Sequence, residues 1–166
     1  MTDSTHTLKQ PFRDAMASAA AGVHVITTDG AIGRYGITMT AVTSVTDDPP
    51  TIMLCINREA AIIPILLQNR DLCINTLSYG QQDIAEHFAG ITNLSPEERF
   101  EYHIWHRGQT GQLEVEGALA HLHGQVIEQH EIGTHYIFYV RINEIKIADT
   151  NSPALLYFRR QFKSLA

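Results

Sequence analysis

Three kinds of side chain in this sequence could carry chemistry. Histidine is plentiful, nine in 166 residues, and His121-x-His123 would set two imidazoles on one face of a strand, where side chains repeat at every second position. There is no H-E-x-x-H pair, and His103, His106 and His130 sit among polar neighbours. The histidines therefore read as scattered surface or half-buried residues rather than a ligand set, and no metal is expected. His135 differs, because it follows Glu131-Ile132-Gly133-Thr134 at the mouth of the long final strand, where a turn can present an imidazole to a pocket. A purely structural histidine is the competing reading.

Hydroxyls form the second group. In GITMTAVTSV, Gly36 to Val45, period-two alternation puts Ile37, Met39, Ala41, Thr43 and Val45 on one face and Thr38, Thr40, Val42 and Ser44 on the other. Gly36 allows close backbone approach, and the next apolar strand ends in Cys55-Ile56-Asn57. Such parts suit a flat, polar-edged ring with a phosphate tail, although threonines on a solvent-facing strand need no ligand. Amides are the third kind. Asn75, inside LCINTL, is either a core amide satisfied by backbone or a ligand contact.

Other chemistries are excluded by spacing. There is no G-x-x-x-x-G-K-[ST], and Gly30, Gly33 and Gly36 follow G-x-x-G-x-x-G instead of the G-x-G-x-x-G that opens a dinucleotide-binding helix. Neither a G-x-S-x-G elbow nor a C-x-x-C occurs, and Arg58 is the one basic residue near Cys55, so hydrolytic and thiol chemistry lose support.

The elements that must position these groups are mostly strands. A helix is predicted over Pro11 to Ala21, from Phe12, Met16 and Ala19/Ala20 at helical spacing, with Gly22 as its stop. Strands follow at Val23 to Thr28, Gly36 to Val45, Thr51 to Ile56 and Leu72 to Leu77, with TDDPP as a turn and a short helix from about Ala60. Ser78-x-x-Gln81 and Ser95-x-x-Glu98 match capping boxes, so helices are predicted around Gln81 to Ala89 and Pro96 to Phe100. Strands return at Leu113 to Val115, Ala118 to Ile127 and His135 to Ala148, and LLYFRRQF closes the chain as a short aromatic-basic element. Many strands, few helices and no βαβ cadence predict a mainly β, antiparallel barrel decorated by helices.

The length fits one domain over residues 1–166, with residues 1–9 as a flexible lead-in that has no apolar core of a signal peptide. Cys55 and Cys73 both lie in apolar runs and do not form a disulfide framework, which makes a reducing, cytoplasmic setting the default. A net charge of −6 argues against nucleic acid and anionic membrane as partners. The longest strongly apolar stretch, Ala60 to Leu67, is interrupted by Pro64 and falls well short of the roughly 20 residues that cross a bilayer.

Several segments together closely resemble the short-chain flavin reductase family: FRDAMASAAAGVHVITT, GITMTAVTSVTDDPP, the CIN and LCINTL pair, HFAG (His87 to Gly90), GTH (Gly133 to His135) and LLYFRRQF. The resemblance runs in order from about residue 10 to 162 and is nearest to the branch that serves two-component monooxygenases. It implies an FMN-binding split β-barrel, Greek-key-like, with a few peripheral helices and usually a homodimer. It also implies that NADH reduces FMN or FAD and that the reduced flavin goes to a separate oxygenase component.

By matching positions, the resemblance assigns Thr38, Thr40, Ala41 and Val42 to the flavin and its ribityl-phosphate, and Cys55, Ile56 and Asn57 to backbone contacts at the ring edge. Ala60, Ala61 and Ile62 would close over the phosphate side, in a stretch that lacks the serine many relatives carry. Phe88 and Ala89 would border the ring, Asn75 is counted with the cofactor-binding candidates on its ligand-contact reading, and Tyr157, Phe158 and Arg159 match the C-terminal segment near the pocket. His135 matches the family histidine beside the nicotinamide and is the one residue given a catalytic part. Arg159 or Arg160 could meet a dinucleotide phosphate or form an ordinary solvated pair. Alternatives from other classes are a non-catalytic flavin carrier, an oxidase of the pyridoxamine-phosphate type and a metal-binding barrel.

Overall fold

The structure, a computed structural model, describes residues 4–165. Among them the order is α1 (Ser4–Ala17), β1 (Ala21–Gly22), β2 (His24–Gly30), β3 (Gly33–Met39), β4 (Val42–Asp47), β5 (Pro50–Asn57), α2 (Ile63–Asn69), β6 (Asp71–Thr76), α3 (Gln82–Phe88), β7 (Trp105–Arg107), β8 (Leu113–Val115), β9 (Ala120–Ile132), β10 (His135–Ile147), β11 (Leu155–Phe158) and β12 (Gln161–Ser164).

Seven strands lie in the order β3-β2-β6-β9-β10-β5-β4, and every pairing is antiparallel. Direction alternates along such a row, so the two end strands, β3 and β4, run the same way. Only Thr40 and Ala41 separate them in the chain. They are therefore two halves of one bent strand, the first paired with β2 and the second with β5, and that strand closes the sheet into a barrel split at the bend. The predicted strand from Gly36 to Val45 is this element, started earlier and broken in the middle. A short Val42 N–H bond to the Thr40 carbonyl, 2.8 Å, marks the break. Alternation alone does not show it, because both halves keep period two.

Two cores explain why β2 and β6 are buried on both faces. Ile26, Leu54, Leu72, Ile74, Phe138 and Val140 fill the barrel, sealed by Ile62, Ile63 and Leu66 around the start of α2. Val23, Val25, Leu77, Ile84, Phe88, Leu113 and Leu155 form a second core on the opposite face, under α3, β8 and β11. Both faces of β2 are thus buried, and the polar-out half of a half-exposed strand is missing.

Other boundaries shift for identifiable reasons. Helix α1 begins at Ser4, inside the stretch read as a lead-in, while Met1 to Asp3 of that stretch lie outside the described residues. It ends at Ala17, where the N–H groups of Ser18 and Ala19 turn back to the Ala15 and Met16 carbonyls. Ala21 and Gly22, predicted as helix end and stop, pair instead with Tyr157 and Leu156 as β1, so sheet pairing overrides the alanine tract. Both capping boxes form. Ser78 and Gln81 cap the turn into α3, and Ser95 and Glu98 exchange bonds of 2.7 and 3.2 Å. The second starts only a single 3₁₀ turn, Glu98–Phe100. The C-terminal element is a β11-β12 hairpin whose turn residues, Arg159 and Arg160, have φ of 48° and 60°.

Candidate active site at the barrel split

At the bend, β3 and β4 each leave one side without a strand neighbour. Unpaired backbone N–H and C=O groups at a sheet edge are hydrogen-bonding partners awaiting a ligand. A hollow of about 260 Å³ lies there, walled by Ile37, Met39, Cys55 and Ile56, with Asn57, Ala60, Phe88 and Ala89 around its rim. A second hollow of about 260 Å³ continues from it through the shared Thr38, Met39 and Ala89 to Val23, Thr40, Ile91, Tyr157 and Phe162. Beyond Thr40 a further recess runs past Ala41 and Thr43 to Met16 and Ala17 at the end of α1.

Helix α3 holds the wall in place. Thr38 donates its hydroxyl to the Ala85 carbonyl at 2.7 Å, tying β3 to α3. Gly36 lets the two meet, since a Cβ there would stand 2.7 Å from the Phe88 ring. Phe88 is in turn backed by Phe100 and Trp105, with ring centroids 4.9 and 5.5 Å away. No charged side chain lines either hollow among the described residues. The cleft offers apolar walls, neutral polar edges and free backbone, which is the surface a flat heteroaromatic ring with polar edges would match.

Most residues singled out from sequence meet here: Thr38, Thr40, Ala41, Cys55, Ile56, Asn57, Ala60, Phe88, Ala89 and Tyr157. The Cys55 N–H already donates to the Ala41 carbonyl at 3.2 Å, and the Asn57 side chain and carbonyl accept from Glu59 and Ala60, so these groups brace the rim. Val42 packs against the barrel core. Ala61 is exposed in the turn before α2, and Ile62 is fully buried in the barrel, so neither presents a side chain to the cleft.

Asn75 is a correction. It is fully buried, donating to the carbonyls of Val25 and Leu113 and to Thr27 Oγ1, while its Oδ1 accepts from Val115 N–H and His121 Nδ1. Of its two readings the core amide holds, and it lies away from the cleft. Phe158 and Arg159 also stand outside the lining. Arg159 rests on the Phe158 ring at 5.1 Å, and Arg160 pairs with Asp14 at 2.6 Å, so the basic pair is engaged locally.

His135 is exposed at the start of β10, directly opposite Asn57 of β5, and its Nδ1 lies 2.8 Å from Thr134 Oγ1. It faces a groove of about 540 Å³ shared with Leu8, Lys9, Phe12 and Arg13 of α1, one strand from the cleft rim. Reading by sequence missed Met39, Val23, Ile91 and Phe162. Met39 shares the alternating face of Ile37, which was a usable signal, whereas Phe162 arrives only through the β11-β12 hairpin.

Comparison with known proteins agrees with this geometry. Residues 16–166 match the family model described as flavin reductase like domain. The chain is 49% identical over 151 residues to the 4-hydroxyphenylacetate 3-monooxygenase reductase component of Salmonella typhimurium, covering 91% of this chain and 88% of that one. It is 41% identical over 163 residues to the FMN reductase (NADH) RutF of Stutzerimonas stutzeri, covering 98% and 92%. A candidate flavin reductase from Haemophilus somnus 129PT, known from its crystal structure, superposes with a TM-score of 0.89 at 38% identity, covering 95% of this chain and 99% of that one.

Proposed function

The chain belongs to the flavin reductase-like family, and from that membership we propose that it is an NADH-dependent flavin reductase that supplies reduced flavin to a separate oxygenase. The observation that carries the reading is the uncharged cleft at the barrel split, bordered by unpaired strand edges and by residues of the matched family segment. Flavin bound there supplies the hydride acceptor. Met39, Ile56 and Phe88 would border the ring, edge N–H groups would stabilise the negative charge of reduced flavin, and the apolar walls would exclude water.

His135 positions the nicotinamide from the groove beside the rim and needs no part as an acid, since hydride transfer requires stacked rings and no side-chain nucleophile. His135→Ala should then raise the KM for NADH more than it lowers kcat; steady-state kinetics showing the reverse would remove the positioning role. FAD is proposed beside FMN as a flavin substrate. The likeness to the Salmonella reductase component supports 4-hydroxyphenylacetate 3-monooxygenase as the oxygenase served.

A homodimer is supported by apolar side chains left exposed on the barrel, Val45, Ile127, Ile145 and Ile147 among them, and light scattering after size exclusion gives its mass directly. No helix among the described residues is long and apolar enough to cross a membrane. Two unpaired cysteines support a reducing, cytoplasmic setting.

The deciding experiment follows NADH oxidation with and without added FMN, FAD or riboflavin. Turnover that saturates with flavin is expected. Tight flavin binding without turnover would replace the enzyme by a flavin carrier.

A further inference from the structure

Helix α3 carries more than Phe88. On its other side Asp83 and His87, four residues apart and so on one helix face, meet His103 from the loop between the Glu98–Phe100 turn and β7. One donor atom from each lies within 4.8 Å of the others. We propose that Asp83, His87 and His103 bind one borderline divalent transition-metal ion of the zinc type, with open positions left for water. Two imidazoles and a carboxylate are a donor set that such ions take, at about 2.0–2.2 Å per ligand, which side-chain rotations can reach from the present spacing.

The surroundings prepare the three groups. His87 Nδ1 is held by Thr92 Oγ1 at 3.1 Å, which fixes the ring and leaves Nε2 as its remaining nitrogen. His103 Nε2 is buried and has no hydrogen-bond partner, an orphaned atom that a metal would satisfy. The rings of His87 and His103 have centroids 5.4 Å apart, and Tyr102 covers His87 at 5.5 Å. His103 is anchored on both sides in sequence by Phe100 and Trp105, whose rings pack at 5.0 Å. Asp83 is exposed, giving the ion a way in.

The other candidate cluster, Glu114, His123 and Glu144, fails this comparison, because Lys146 already stands 2.6 Å from Glu114 and 3.4 Å from Glu144 and supplies the cation. Bound metal at the first site would clamp α3 to the loop behind Phe88. Its test needs no turnover.

Purified full-length protein, stripped with chelator, is titrated with Co²⁺ and then Zn²⁺. One equivalent of Co²⁺ should give d–d bands of a four- or five-coordinate ion, bleached by Zn²⁺. At Zn²⁺ a hundredfold above Kd the thermal midpoint should rise by roughly 5–10 °C. Asp83→Asn, an exposed change that spares folding, and His103→Gln should each weaken binding more than about tenfold, since loss of even an outer partner costs 10- to 100-fold. His130→Gln, at an exposed histidine elsewhere, should leave it intact. Absence of Co²⁺ bands, or uptake equal in wild type and Asp83→Asn, would overturn the site.

Discussion

His24 and Asn75 show what single side chains contribute to the fold. Burial holds the His24 imidazole at about 4, against an ordinary value of 6.5, with Nδ1 3.1 Å from Thr76 Oγ1. The unfolded chain takes up a proton below pH 6.5 that the folded chain refuses, so stability present above that pH is lost as pH falls toward 4. Each pH unit costs about 1.4 kcal/mol, or about 2 kcal/mol between pH 6.5 and 5. Urea unfolding at pH 7 and pH 5 should show at least this difference, and His24→Gln should reduce it, with His103 and His121, also lowered by burial, keeping the remainder. Asn75 joins β2, β6, β8 and β9 through five bonds. Asn75→Ala orphans several buried groups and should cost about 3 kcal/mol in the same assay. A lone amide in an apolar run is visible in a sequence, but its partners come from β2 and β8, far along the chain, so its role was not. The cleft residues Thr38, Cys55, Ile56, Asn57 and Phe88 were legible because they travel in contiguous motifs.

Among elements, the contact between β3 and α3 decides the shape of the cleft. Gly36 is the point of closest approach, and Thr38 bonds the Ala85 carbonyl two residues later. Gly36→Ala should push the Phe88 ring off its place and weaken flavin binding about tenfold, read by fluorescence quenching on titration. Phe88→Leu in that background should recover part of the loss if the two act as one contact, a coupling the double mutant measures. Strands and capping boxes were readable from alternation and cap residues, whereas β9 runs on to Ile132, past the predicted end at Ile127, to pair with β10. The β3-β4 break, β7 in HIWHR and the pairing of Ala21-Gly22 were not, since each depends on a partner strand and leaves no change of period behind.

For the whole molecule, the bent strand settles more than the position of a pocket. Among the described residues the open edges of the large sheet are those of β3 and β4, which meet at the bend beside the cleft where the flavin would lie. Such edges are also templates on which another chain can add a strand. A bound ring would therefore act as a plug against polymerisation as well as a reactant, and protein kept without flavin should self-associate faster. Light scattering at constant concentration, with and without saturating FMN, compares the two rates. Equal rates would mean that the bend is already shielded by β11-β12 and the end of α1, and that resistance to aggregation in this chain is independent of its ligand.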